Sequence, residues 1–415
     1  MNERRVVVTG MGVVTPVGIG VPRFWDALRD GKSGVRRLRR IELPEYHVQI
    51  GAEVDLTPDD LKCIKSPKMA RRLDDFIIYG YLAGAEAIVD SKLDIEAESE
   101  RVGVIIASGE GGLKTHYEMI RRIIDKRLSS VSPFYVTNVI PNTPGAFLAQ
   151  ERHIRGPSFA INSACASSNH ALGTASTLIK AGLADVMFTG GAEAVATPPG
   201  MAAFGNIGAL SARNDDPERA SRPFDKNRDG FVMGEGAGVL CLEELSHAQK
   251  RGAKIYAELS GFGFSTDAYD LVAPHPEGEG AARAMQNALS MARLGPEDLG
   301  FINAHGTSTP AGDRAECRAI QRALGDLGAK IPVHSTKSMI GHLIGAAGAV
   351  EAIASIMAFE RGLIHKNANY QEPDPEIPLN ILRENADGRS VKHVLSNAFG
   401  FGGHNACVIL SRFEG

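Results

Sequence analysis

Cysteine is scarce in this sequence of 415 residues, and the few cysteines form no pattern. There are five, an odd number, and no two of them form the Cys-x-x-Cys pair that is typical of zinc sites and redox motifs. They are Cys63, Cys165, Cys241, Cys317 and Cys407. This distribution argues against a disulfide framework and against a zinc site, and it favours a reducing compartment.

Long apolar runs and a strong net charge are also missing. The longest weakly polar run, residues 341–359, contains His342 and Glu351, and it therefore predicts a buried helix and no membrane span. No signal-peptide core precedes the first apolar strand near Arg5, so we expect a cytoplasmic protein. A net charge of −4 argues against general nucleic-acid binding.

The chain is instead rich in glycine, and the glycines follow a repeated layout. There are 46 glycines, and apolar strands that end in polar or glycine-rich turns recur along the chain. They cover residues 5–14, 101–112, 184–193, 299–306, 331–338 and 391–403. The same order occurs twice, so we predict two similar α/β halves, residues 1–252 and 253–415, whose strand ends meet in one site.

The segment from Ser158 to Gly173 is the most informative stretch of the first half. A short apolar strand is followed by Cys165 and then by small residues that predict a buried helix. A thiol at a helix N-terminus faces free N–H groups, so we expect the pKa of Cys165 to fall and its nucleophilicity to rise. A small core thiol is the alternative.

Polar residues at the corresponding strand ends of the second half predict partners for this cysteine. His305, Lys337 and His342 all follow apolar strands, and the repeated layout places them opposite Cys165. Two histidines beside a nucleophilic thiol indicate acid–base or hydrogen-bonding chemistry. The layout alone leaves a Cys/His hydrolase open.

A basic cluster lies at a predicted helix start in the first half. Ser66 and Pro67 are typical of a helix N-terminus, and the apolar pattern predicts that this helix continues to Gly80. Positive charge is unfavourable at that end of a helix, which suggests an acidic partner, although a solvated surface is the alternative. The cluster consists of Lys68, Arg71 and Arg72.

Four motifs together resemble the signatures of β-ketoacyl-acyl carrier protein synthases of the elongating, type II-like branch. They occur in order over essentially the whole chain: 163–167 (SACAS), 303–313 (NAHGTSTPAGD), 335–342 (STKSMIGH) and 397–403 (NAFGFGG). The resemblance implies the thiolase-like fold, in which two duplicated α/β halves form a layered α-β-α-β-α sandwich. It also implies a homodimer with a Cys-His-His site.

The resemblance further implies an acyltransferase that performs a decarboxylative Claisen condensation with malonyl-acyl carrier protein. Cys165 would hold the acyl chain, and His305 and His342 would donate hydrogen bonds to the enolate oxygen. Lys337 would act by charge. The backbone N–H groups of Cys165 and Phe401 would form the oxyanion hole.

Other family positions are implied residue by residue. Thr307 and Thr309 resemble residues that bind the phosphopantetheine arm, and Phe399 and Phe401 resemble the gate of the acyl tunnel. Glu110 stands near the end of the acyl pocket, where the family usually has an apolar residue or glycine. The basic cluster matches the place where the family docks the acidic carrier protein.

No cofactor is required by this resemblance, although it includes a structural site for Na⁺ or K⁺. The implied residues are Asn303, Glu351, Ser396 and Asn397, and a salt bridge of Glu351 to Lys337 or to an arginine is the alternative. Fatty-acid elongation is the expected pathway, with a specialised polyketide or polyene synthase as the alternative. Cys165 and both histidines argue against a third option, a non-catalytic partner that sets chain length.

Overall fold

The computed structural model describes residues 4–415 as alternating strands and helices. The strands are β1 (Val6–Thr15), β2 (Gly18–Ile19), β3 (Arg36–Arg37), β4 (Ile50–Gly51), β5 (Val102–Ala107), β6 (Ser158–Phe159), β7 (Val186–Glu193), β8 (Gly236–Glu244), β9 (Ala257–Thr266), β10 (Leu299–Asn303), β11 (Pro332–His334), β12 (Leu363–Ile364), β13 (Asn380–Ile381), β14 (Ala386–Asp387), β15 (His393–Gly400) and β16 (His404–Ser411). The helices are α1 (Val21–Asp30), α2 (Pro67–Ala70), α3 (Asp75–Ser91), α4 (Ile95–Glu98), α5 (Leu113–Ile124), α6 (Tyr135–Val139), α7 (Thr143–Arg152), α8 (Ser167–Lys180), α9 (Pro198–Asn206), α10 (Leu245–Lys250), α11 (Glu279–Ala292), α12 (Pro310–Leu324), α13 (Lys337–Ile340) and α14 (Ala347–Arg361). Short 3-10 turns cover Asp60–Cys63, Ser99–Arg101, Leu128–Ser130, Pro217–Arg219, Pro296–Asp298, Gly325–Leu327 and Ile344–Ala346.

The main sheet contains the same five-strand arrangement twice. The first set runs in the order β6-β5-β7-β8-β1, and the second runs in the order β11-β10-β15-β16-β9. In each set the first three strands are parallel and the last two are antiparallel to their neighbours. The two sets join where Val7 and Val8 of β1 pair with β9. This identity of order and direction confirms the duplicated α/β fold, and residue 252 lies between α10 and β9.

Helices separate and cover the two sets of strands. Helix α3 packs on β1, β7 and β8 at one outer face, while α11 packs on β9 and β16 at the other. Helices α8 and α14 lie between them and contact strands of both sets. Small residues allow this close approach: a Cβ at Gly173 of α8 would lie 2.4 Å from the Phe264 ring. The result is the expected five-layer α-β-α-β-α sandwich.

The weakly polar run at residues 341–359 is buried between the layers. Only its second part is the long helix α14, because residues 344–346 form a 3-10 turn. Thirteen consecutive residues of α14, from Ala347 to Phe359, are buried. Across residues 4–415 no helix combines the length and the apolar character that crossing a bilayer requires.

The helix predicted from Ser66 to Gly80 is interrupted, so that prediction is wrong. Helix α2 ends at Ala70, and α3 begins only at Asp75. The carboxylate of Asp74 caps α3 by accepting a hydrogen bond from Phe76 N, and it also accepts two from Thr115. A capping carboxylate at this point ends the first helix and starts a second one.

Candidate active site

Cys165 lies in a tight turn between β6 and α8. Ala164, just before it, has φ of 51°, a left-handed conformation that costs an L-residue about 1–2 kcal/mol. The hydroxyl of Ser167 holds this turn by accepting a hydrogen bond from Ser163 N (2.8 Å) and donating one to Ala164 O (2.6 Å). Helix α8 then begins at Ser167. The predicted helix start is therefore confirmed to within two residues.

The expected fall in the pKa of Cys165 is wrong for the resting protein. The side chain is buried, and burial raises the pKa of the thiol to about 12. The positive charge of Lys337 opposes this rise, whereas the carboxylates of Glu193 and Glu110 add to it. Desolvation therefore outweighs the nearby helix start, and Cys165 remains a protonated thiol at neutral pH.

His305 and His342 face each other, with ring centroids 5.3 Å apart and planes at 85°. The backbone of His305 is fixed because His305 N and Gly306 N donate to the carboxylate of Glu316 at 2.8 and 2.7 Å. The backbone of His342 is fixed by its 2.8 Å hydrogen bond to Val232 O. The structure thus brings together two histidines that the sequence analysis assigned to the ends of different strands.

Both imidazoles are neutral at physiological pH. Burial and the charge of Lys337 hold the pKa of His305 and that of His342 well below 6.5. Within residues 4–415, Nδ1 of His305 and both ring nitrogens of His342 lack a hydrogen-bond partner. A neutral imidazole carries one N–H, so each ring can donate one hydrogen bond to a bound molecule.

Lys337 is buried and forms an ion pair with Glu351 at 2.5 Å. Its charge opposes the rise in the pKa of Cys165 and lowers the pKa of both histidines. The family resemblance implied that this residue acts by charge. Burial raises the pKa of Glu351 to about 7 against the opposing effect of Lys337. The alternative partner that we considered for Glu351 is therefore present.

Unpaired oxygen atoms nevertheless remain beside this ion pair. In the described part of the chain, Glu351 Oε2, Ser396 Oγ, Asn397 Oδ1 and Asn169 Oδ1 are buried without a hydrogen-bond partner. Asn169 Nδ2 donates to Ser396 O at 3.2 Å, and Ser396 is aligned with Asn303 across β10 and β15. The Ser396 hydroxyl can donate as well as accept, and the side-chain oxygens of all four residues are the ligand type that a hard cation such as Na⁺ or K⁺ prefers.

A cavity of about 380 Å³ opens beside the cysteine and the two histidines. Cys165, His305 and His342 lie in its wall together with Thr307 and Thr309. The two threonine hydroxyls are 3.0 Å apart, and that of Thr309 also caps α12 by accepting from Gly312 N. Most of the remaining lining is apolar, including Phe204, Ile207, Phe231, Val272, Ala273, Pro274, Ala281, Ala315, Ile344, Phe399 and Phe401.

Phe399, near the end of β15, and Phe401, in the turn that follows, flank Gly400, which passes close to Cys165. A Cβ at Gly400 would lie 3.0 Å from Cys165 N, so only glycine allows this approach. The ring of Phe401 stacks on Phe204 with centroids 5.9 Å apart, and that of Phe399 lies 5.6 Å from His305. Gly400, the residue before Phe401, thus lies against the Cys165 backbone.

Glu110 and the basic cluster lie outside this cavity, as do Lys337 and the residues of the implied cation site. Glu110 is exposed in the single chain and does not line the cavity wall. Partial desolvation raises the pKa of its carboxyl group. The basic cluster, Lys68, Arg71 and Arg72, is exposed on the surface. Arg72 also lies 5.2 Å above the ring of Phe134.

Sequence reasoning missed three residues that support the site. Glu316 binds the His305 backbone, and the ring edge of Phe231 packs against His342 at 5.3 Å and 80°. Glu193 ends β7, and burial raises its pKa to about 7. The signal for Glu316 was its position three residues after the second motif, 303–313, and for Glu193 it was a carboxylate at another strand end.

The raised pKa of Cys165 predicts how the thiol reacts with alkylating agents. Because the thiolate is the nucleophile, we expect alkylation by iodoacetamide to accelerate about tenfold per pH unit from about pH 6 to about pH 9 without a plateau. Rates measured by peptide mass spectrometry in a Cys63→Ala background, which lacks the exposed thiol, test this. A plateau near neutral pH would mean that the helix N-terminus lowers the pKa of Cys165 by more than burial raises it.

Comparison with protein-family models identifies both halves. Residues 3–248 match "Beta-ketoacyl synthase, N-terminal domain" and residues 256–371 match "Beta-ketoacyl synthase, C-terminal domain". The chain is similar to 3-oxoacyl-[acyl-carrier-protein] synthase 2 of Vibrio cholerae, at 45% identity over 99% of this chain and 100% of that protein. Its similarity to the Vibrio harveyi protein of the same name is 44%, over 99% of each chain.

Solved structures give the same result. A β-ketoacyl synthase from Burkholderia phymatum superposes with a TM-score of 0.92 at 34% identity, over 99% of this chain and 100% of that one. A type II polyketide ketosynthase, solved in complex with its acyl-carrier protein, superposes with a TM-score of 0.91 at 31% identity over the same shares. The family models, the similar sequences and the fold therefore agree, and the chain belongs to the β-ketoacyl synthase family.

Proposed function

We propose that the protein is a 3-oxoacyl-acyl carrier protein synthase of fatty-acid elongation. It joins an acyl chain held on Cys165 to a malonyl group on acyl carrier protein, with loss of CO₂. The observation that carries this proposal is the pair of neutral, unpaired histidines beside a buried cysteine at the end of an apolar cavity. Relatives with the printed name 3-oxoacyl-[acyl-carrier-protein] synthase 2 support the pathway.

The first half-reaction transfers the acyl group. Cys165 Sγ attacks the thioester carbonyl of the acyl carrier, and its proton passes through a free imidazole nitrogen to the departing carrier thiolate. Because the thiol is protonated at rest, either histidine must take this proton as the C–S bond forms. The N–H groups of Cys165 and Phe401 stabilise the oxyanion of the tetrahedral intermediate.

The second half-reaction forms the carbon–carbon bond. Malonyl carrier loses CO₂, and the electron pair of the broken bond forms an enolate whose negative charge lies on the thioester oxygen. His305 and His342 each donate one hydrogen bond to that oxygen. The enolate carbon attacks the acyl-Cys165 carbonyl, the C–S bond breaks, and the Cys165 thiolate takes up one proton from solvent as 3-oxoacyl carrier leaves.

A panel of acyl-carrier primers of increasing chain length, each mixed with malonyl carrier, tests this function. We expect one 3-oxoacyl-carrier product, two carbons longer than its primer, and one CO₂ per turnover, measured by mass spectrometry. Release of free fatty acid without CO₂ would identify a hydrolase. Repeated condensation without reduction would instead favour a polyketide or polyene pathway.

We also propose that the basic cluster of Lys68, Arg71 and Arg72 binds the acidic carrier protein. Replacing all three with glutamate is expected to raise the KM for acyl carrier about tenfold or more and to weaken its dependence on salt, because complementary charges steer association. Turnover of free acyl-CoA should be unchanged, since that substrate needs no protein docking.

The matched control reverses three exposed cations of the C-terminal half, Lys330, Arg389 and Lys392. Steady-state kinetics with both substrates at several salt concentrations compare the two variants. An equal loss with acyl carrier and acyl-CoA would show that the cluster stabilises the fold or the site and does not dock the carrier.

A homodimer is the proposed assembly. Within residues 4–415, strand β6 pairs only with β5, so one edge of the main sheet is open. Open strand edges and exposed apolar patches favour association with another chain. Exposed apolar side chains lie on this edge and on α5, α6 and their flanking turns: Ile120, Ile123, Ile124, Leu128, Val136, Ile140 and Phe159.

A structural Na⁺ or K⁺ ion is the proposed occupant of the buried oxygen cluster. Glu351, Ser396 and Asn397 would hold it through side-chain oxygens, and Asn169 would add a fourth. The sequence named Asn303 as well. Its side-chain Nδ2 donates to Glu351 O and Ser355 Oγ and fixes α14 against β10. The ion would supply positive charge next to the unpaired Glu351 Oε2.

A further inference from the structure

Glu193 is a fully buried carboxylate at the tip of β7 that the proposed reaction does not use. Its Oε1 accepts from Ser108 Oγ (2.8 Å) and Glu110 N (3.2 Å), and its Oε2 accepts from Gly109 N (2.6 Å) and Gly345 N (2.9 Å). Residues 108–110 follow β5 of the first half, whereas Gly345 belongs to the second half. One carboxylate thus joins loops of both halves.

The two loops meet at this carboxylate without room for side chains. A Cβ at Gly109 would lie 2.9 Å from Glu193 Oε2, and a Cβ at Gly345 would lie 2.4 Å from Gly109 N. Backbone amides can therefore reach the carboxylate directly from both sides. Four donors on two oxygens compensate the buried acceptor.

Ile344 shows what this arrangement holds in place. Its φ is 44°, a left-handed conformation that is a genuine outlier for a β-branched residue and persists only where the surroundings enforce it. Ile344 lines the cavity, it follows His342 by two residues, and the next residue is Gly345, whose N–H binds Glu193. The strained residue thus lies between a histidine of the site and an anchored amide.

We propose that Glu193 is a positioning residue that anchors the Gly345 amide and thereby holds Ile344 in the cavity wall and His342 in its place. The predicted effect on acyl chains rests on the proposed function, because the cavity must receive the chain. The anchoring of Gly345 and Ile344 by Glu193 does not depend on that function. Ile344 then shapes the space that the chain occupies, and Glu193 determines chain-length selectivity through it.

The test is the variant Glu193→Gln, which keeps the size of the side chain but turns an NH₂ group towards backbone donors. We expect kcat/KM for condensation to fall about a hundredfold, because small displacements of reacting groups have effects of this size. The loss should differ between short and long acyl primers, since Ile344 moves in the wall that contacts the chain. An equal proportional loss with every primer would show a merely structural role and overturn the proposal.

A second comparison measures the anchoring itself by thermal unfolding. Glycine adopts a left-handed φ without strain, so Glu193→Gln should lower the melting temperature less in an Ile344→Gly background than in the natural protein. Ile344→Ala is the matched control, because it removes the side chain but keeps a Cβ, and most of the Glu193→Gln effect should persist there. Equal losses in all three backgrounds would overturn the proposal.

Ser108→Ala, which removes one donor to the carboxylate, replaces Glu193→Gln in the same comparisons if that variant does not fold. The two proposals fail separately. If the natural protein does not condense acyl and malonyl groups, the proposed function is wrong, and the melting temperatures still decide whether Glu193 anchors Ile344. If condensation occurs but the Ile344 backgrounds do not differ, only the anchoring role is wrong.

Discussion

Replacing Cys165 with alanine is expected to lower condensation by about 10⁴-fold or more, because Cys165 is the thiol of the cavity wall and holds the acyl chain as a thioester. Incubation with an acyl-carrier primer should add one acyl mass to the natural protein, located on the Cys165 peptide. The variant should show no adduct there. Intact-protein mass spectrometry measures the acyl adduct, and mass spectrometry of the 3-oxoacyl-carrier product measures condensation.

The control for this experiment is Cys63→Ala, which removes an exposed thiol that does not line the cavity. It should retain both acylation and turnover. Undiminished condensation by Cys165→Ala would reject the covalent mechanism. CO₂ release by Cys165→Ala from malonyl carrier alone, without product, would instead agree with it, because decarboxylation needs only the two histidines.

Replacing either His305 or His342 with alanine is expected to lower malonyl decarboxylation about 10²- to 10³-fold, the usual effect of losing one donor to a developing oxyanion. Acylation of Cys165 should fall much less, because the remaining histidine can still take the thiol proton. Separate measurement of CO₂ release and of acyl-enzyme formation distinguishes these steps. Decarboxylation should suffer more than acylation because both histidines donate to the enolate oxygen, whereas a single histidine is enough to accept the thiol proton.

His153→Asn is a suitable control, since His153 is exposed at the end of α7 and asparagine tolerates its left-handed φ of 58°. It should leave both steps unchanged. If loss of His305 or His342 abolished acylation and decarboxylation equally, the histidines would be required for the fold of the cavity or for the cysteine. In that case they would not be dedicated enolate donors.

Local patterns explain why the sequence predicted the reacting groups. Cys165, His305 and His342 each follow a short apolar strand, and the same strand layout occurs twice, so their meeting at one sheet edge could be inferred without coordinates. The resemblance to a known family then assigned roles. The five-layer fold was also implied by that resemblance, whereas the strand layout by itself predicted two similar α/β halves.

Properties that depend on distant neighbours could not be inferred in this way. The sequence predicted a lowered pKa for Cys165 from its helix start, but loops from both halves bury the thiol and raise its pKa. The helix predicted through Arg71 and Arg72 breaks because Asp74 binds both Phe76 N and Thr115, 41 residues away.

The sequence by itself determined which residues can react and in which order they follow the strands, because strand ends, glycine turns and capping residues act over a few positions. The tertiary structure decided their protonation and their alignment. Desolvation of Cys165, the charge of Lys337 at the histidines and the binding of Gly345 by Glu193 all arise between segments far apart in the chain. Such effects depend on what packs against a group, and that is determined only when both halves have folded together.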